Sequence, residues 1–80
     1  MKALTMDELF AKAIAEYKAL DVKEQSAVIG AVSNLSQIEQ PNEQQILEFA
    51  NRSGHRDLAL ACYGMYLMGV ISLLWESEDE

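Results

Sequence analysis

Residues 58–75 read LALACYGMYLMGVISLLW, 18 positions in a row without a charge. An apolar run with no polar face describes a helix buried on all sides. On a helical wheel Ala61, Gly64, Met65, Met68 and Ser72 share a small or flexible face. Leu60, Tyr63, Leu67, Val70 and Leu74 share a bulky one, so two different neighbours are implied. Length admits a rival reading, because 18 residues span about 27 Å and a bilayer core is about 30 Å thick. Arg52 and Arg56 precede the run, acids follow it, and Trp75 sits where an interfacial aromatic would. Two Gly, two Ala, a Ser, a Cys and two Tyr nevertheless dilute the run, and the segments upstream need an apolar surface to cover. A central buried helix over about 56–75 is the preferred reading. A single C-terminal transmembrane helix, Leu58 to Trp75, is the alternative.

Three amphipathic segments lead up to it. Met6, Leu9, Phe10, Ala13, Ile14, Tyr17 and Leu20 recur at steps of three and four and define a helix over 6–20, with Thr5 and Glu8 at capping-box spacing. Asp21 and Glu24 repeat that spacing at once, and Ala27, Val28, Ala31, Val32 and Leu35 form the stripe of a second helix over 22–36. So short a joint suits a tight αα corner or hairpin. Gly30, inside this stripe, is read as a place where another helix approaches closely. Pro41, the only proline, suits a first helical position and starts a third helix over 41–52. Its cap is Gln40 or Asn42, the latter with Gln45 at capping-box distance, and Ser53-Gly54 ends it. The fold class is therefore all-α: a small four-helix bundle, one domain over 1–80, with the C-terminal helix central and the first and last helices carrying most of the core.

Composition narrows the function. Eighty residues, half of them hydrophobic, make one core and exclude the large enzyme architectures. Thirteen acids against six Lys and Arg give a net charge of −7, which repels phosphate and argues against direct nucleic-acid binding. The same charge favours encounter with a basic protein, including a nucleic-acid-binding one. A lone Cys62 closes no intrachain disulfide, and Asp7 and Glu8 stand where a signal peptide needs apolar residues, so a cytoplasmic setting is expected.

No chemistry is legible in the motifs. His55-Arg56-Asp57 spells the kinase catalytic-loop triplet without the nucleotide lobe or Asp-Phe-Gly that the motif requires, and reads instead as a helix start with His55 as loop or cap. Cys62 has no second thiol or nearby histidine and reads as a small buried residue. The carboxylates form no Glu-x-x-His pair or calcium loop. No catalytic, cofactor or metal site is assigned, and an enzyme is not expected.

A non-catalytic protein-binding module remains, of the inhibitor or adaptor kind that bacteria and phages encode, docking on a partner protein or forming a homodimer through spare faces of the first and last helices. Its candidate contact residues are the acids Glu16, Glu24 and Glu48, the Tyr and Met row Tyr63, Met65, Tyr66 and Met68, and the tail acids Glu76, Glu78, Asp79 and Glu80.

Overall fold

Each of the first three helices starts at a side chain that accepts a hydrogen bond from an orphan backbone N–H. The computed structural model describes the backbone of residues 5–75 and their side chains apart from those of Met6 and Trp75. Helix α1 (Met6–Ala19) opens with the expected capping box: the Glu8 N–H donates to Thr5 Oγ1 at 3.1 Å, and the Thr5 N–H donates to Glu8 Oε1 at 2.8 Å. Helix α2 (Val22–Ser36) is capped by Asp21, whose Oδ1 accepts from the Glu24 N–H at 2.8 Å. Helix α3 (Glu43–Arg52) has a full capping box between Asn42 and Gln45, with bonds of 2.8 and 3.0 Å. Pro41 therefore precedes the cap instead of occupying the first helical position. Asparagine caps far better than glutamine, so the cap falls at 42 and not at 40.

Helix α4 (Arg56–Leu67) is the main correction to the sequence reading, because the apolar run is not one helix to residue 75. It ends in a Schellman motif: Gly69 takes φ +78°, its N–H donates to the Tyr66 carbonyl at 3.1 Å, and the Val70 N–H donates to the Met65 carbonyl at 2.9 Å. The chain then turns back into a 3-10 helix, Ile71–Trp75. Glycine alone adopts the left-handed conformation at little cost, so Gly69 sets the break.

All four helices surround one apolar cluster. α4 packs against α1, α2, α3 and the 3-10 turn, which makes it central as expected. The buried residues, however, come mostly from α2 (Val28, Ala31, Val32, Leu35) and α4 (Leu58, Ala59, Cys62, Tyr63, Met65), while α1 contributes only Ala13 and Tyr17 in full. Neither wheel face survives intact, since Met65 is buried and Leu67 exposed. Joined by two residues, α1 and α2 make a corner without an extended mutual interface, closed by Gln25 Nε2 donating to the Tyr17 carbonyl at 2.9 Å. Gly30 marks no close approach either: a Cβ there would meet no atom within 4 Å. α1 meets α4 beside Gly64, where a Cβ would lie at an ordinary van der Waals distance, 4.0 Å, from Phe10 Cε1. The result is an all-α, four-helix bundle of small size.

Candidate functional site: the apolar end of α4

Phe10, near the start of α1, meets α4 at Gly64, near its end, and the 3-10 turn packs on both helices. One end of the molecule thus gathers the first turns of α1, the last turn of α4 and the returning chain. On that end Leu67 is 64 % exposed and Met68 58 %, joined by the partly exposed Tyr66 and Leu73, whereas the exposed Leu9 of α1 lies toward Leu58 and Ala61 in the first half of α4. Leucine and methionine at such exposure on consecutive positions make a contiguous apolar surface, unlike Val22, which at 77 % is more exposed but lies apart from it in sequence at the start of α2. In the returning segment Leu74 is only 1 % exposed and Val70 and Ile71 are partly buried against the core, while Leu73 faces out. Tyr66 stacks on Tyr63, with ring centroids 6.2 Å apart and planes 16° from parallel. Asp7 and Glu8 are exposed at the start of α1, on the same end.

The structure divides the residues singled out from the sequence. Tyr66 and Met68 are on the exposed end, whereas Tyr63 and Met65 are buried and line the core instead of a surface. Met65 is fully buried in the core cluster, and its carbonyl accepts the Schellman bond from Val70. The three acids are scattered: Glu16 lies 3.9 Å from Lys12 Nζ, Glu48 accepts from Arg52 Nη2 at 2.9 Å, and Glu24 approaches His55 Nε2 at 3.9 Å. They form no single face. Glu76, Glu78, Asp79 and Glu80 lie outside the described residues. Leu67 and Leu73 were missed as surface residues, because a central helix continuous to residue 75 would bury them, and Leu9 because it falls on the apolar stripe of α1. The signal was present in Gly69, read as part of a helix although Gly54 was correctly read as a helix stop.

Elsewhere the polar groups serve the fold. At the end of α3 the Ser53 hydroxyl relays between two backbone groups: it donates to the Ala50 carbonyl at 2.6 Å and accepts from the His55 N–H at 3.1 Å, while Gly54 turns the chain at φ +82°. His55 then caps α4 by position, without a side-chain bond, and Asp57 stands in the first turn. Arg52 lies over the Phe49 ring, 5.4 Å from its centroid. Cys62 is fully buried, and that burial pushes its thiol pKa up to about 11, away from the thiolate a nucleophile needs. The Tyr17 phenol is raised too, first by burial and then by the neighbouring Cys62. Every buried side-chain nitrogen or oxygen among the described residues has a hydrogen-bond partner. Among those residues no group of three or more His, Cys, Asp or Glu could hold a metal ion, and no helix is long and apolar enough to cross a membrane.

The chain was compared with protein families, with characterised proteins and with solved structures. It matches none of them. The exposed end of α4 is accordingly the feature on which a functional reading rests.

Proposed function

We propose that the protein is a non-catalytic protein–protein interaction module that docks through the apolar end of α4. The observation that carries this reading is the exposure of Leu67 and Met68 at the end of α4, with Tyr66 before them and Leu73 in the returning segment. Methionine and tyrosine adapt to and anchor protein contacts, and such side chains are enriched at the centres of interfaces. The net charge of −7 favours a partner whose contact surface is rimmed by Lys or Arg, and a nucleic-acid-binding protein blocked or carried by this module fits that chemistry. An inhibitor or adaptor role in the cytoplasm is consistent with a lone buried thiol.

The test substitutes Leu67→Lys and Met68→Lys together. Both side chains are exposed, so circular dichroism and Tm should stay close to those of the unmodified protein. Native mass spectrometry of gently lysed producing cells should find the unmodified chain in a complex and the double variant as a free monomer. An unmodified chain that is always a free monomer, or a double variant that keeps the complex, contradicts the reading. So does recovery only in the membrane fraction.

A further inference from the structure

Helix α4 stops at Gly69 although the apolar pattern runs on through residue 75, and the hydrogen bonds at the stop could be redrawn without loss. In the Schellman turn the Met65 carbonyl accepts from Val70 and the Tyr66 carbonyl from Gly69. In a continuous helix the same carbonyls would accept from Gly69 and Val70 in turn. The two partners simply trade places. What holds the chain in its turned-back form is therefore packing: Leu74 buried against α1 and α4, with Val70 and Ile71 partly buried beside it. Straightening at Gly69 would empty that socket, and the segment shaped to refill it is residues 70–75 of another copy. The side chains flanking the hinge, Tyr66, Leu67 and Met68, are the exposed ones that two exchanging chains would bring together.

We propose that the protein forms an exchanged dimer, in which α4 runs straight through Gly69 and residues 70–75 of each copy fill the α1–α4 socket of the other. Exchange of an identical element is a low-cost route to a symmetric dimer, and its hinge is where mutation shifts the balance. The proposal rests on the reading of this end as an interaction surface and names its occupant as a second copy.

The test uses the full chain, refolded at concentrations up to the millimolar range and measured by size exclusion with light scattering. Gly69→Ala disfavours the left-handed turn and favours the straight helix at both hinges of a dimer, so dimerisation should tighten by about tenfold or more. Gly69→Asn, which tolerates the left-handed conformation, should stay near the unmodified protein. Adding Leu67→Lys and Met68→Lys to Gly69→Ala should restore the monomer with its helical spectrum unchanged. Labelled and unlabelled dimers should trade subunits slowly, because each must withdraw its segment first. A folded Gly69→Ala protein that dimerises no better than the unmodified one overturns the proposal, as does a dimer that survives both lysines. Flotation with phosphatidylcholine vesicles in place of dimerisation overturns it as well. If Gly69→Ala does not fold, the unmodified protein decides: a monomer at millimolar concentration overturns the exchange. A monomeric Gly69→Ala beside an unmodified chain bound to a different protein overturns the exchange alone, whereas a free monomer throughout overturns the docking reading too.

Discussion

Leu74→Ala should be among the most damaging substitutions in the chain, and Leu67→Ala among the mildest. Leu74 is 1 % exposed and anchors the returning segment, and emptying so buried a leucine site costs about 3 kcal/mol, with measured cases up to about 5. A domain of this length has a total stability of about 4–12 kcal/mol, so the loss is a large fraction of the whole. At about 4–8 °C per kcal/mol for a small domain, Tm should fall by about 12–24 °C. Leu67, 64 % exposed, should change stability by no more than about 0.5 kcal/mol. Urea titration of both variants, followed by helical circular dichroism, reads the difference as a shift in midpoint at constant slope. The pair is decisive because residues seven apart share a face of a straight helix. Equal losses from the two substitutions, or a larger loss at Leu67, would refute the turn at Gly69.

Three further outcomes follow from the geometry. Ser53→Ala should cost about 1–3 kcal/mol in urea titration, since it removes the relay between the His55 N–H and the Ala50 carbonyl; an unchanged midpoint would show that the relay is idle. Gly30→Ala should raise stability by about 1 kcal/mol, because the site is helical and a Cβ there meets open space; a loss would mean that Gly30 is needed for contact. The raised thiol pKa of Cys62 favours the folded state only while the thiol is neutral. Its contribution is full below the ordinary thiol value of 9, falls above it, and is lost as pH rises through about 11. Cys62→Ala should flatten that alkaline decline, although Tyr17, raised in the same direction, leaves part of it.

The caps of the first three helices were readable because each depends on a side chain a few residues from the backbone it caps. Thr5 with Glu8, Asp21, and Asn42 with Gln45 all form the bonds their spacing implies. The end of α4 was harder, because the apolar run around Gly69 suggested continuity and nothing local said whether Leu74 would find a socket on α1. The α1 side of that socket lies more than fifty positions away in sequence, and the break is worth making only once it is in place. Nor did the pattern show that α2 buries more side chains with α4 than α1 does: both stripes are apolar, and periodicity does not say which lies deeper. The candidate site was legible in part. Tyr66 and Met68 were singled out, but Tyr63 and Met65 were grouped with them by composition, and composition does not say which side of a helix turns inward.

Backbone chemical shifts recorded at a concentration where the protein is monomeric test the turn at Gly69 most directly. Helical Cα shifts should run from Arg56 to Leu67, stop at Gly69, and be followed by a Val70 amide protected from hydrogen exchange by its bond to Met65. Helical shifts unbroken from Arg56 through Trp75 in the monomer would contradict the turn, and with it the exposed end on which the docking surface stands.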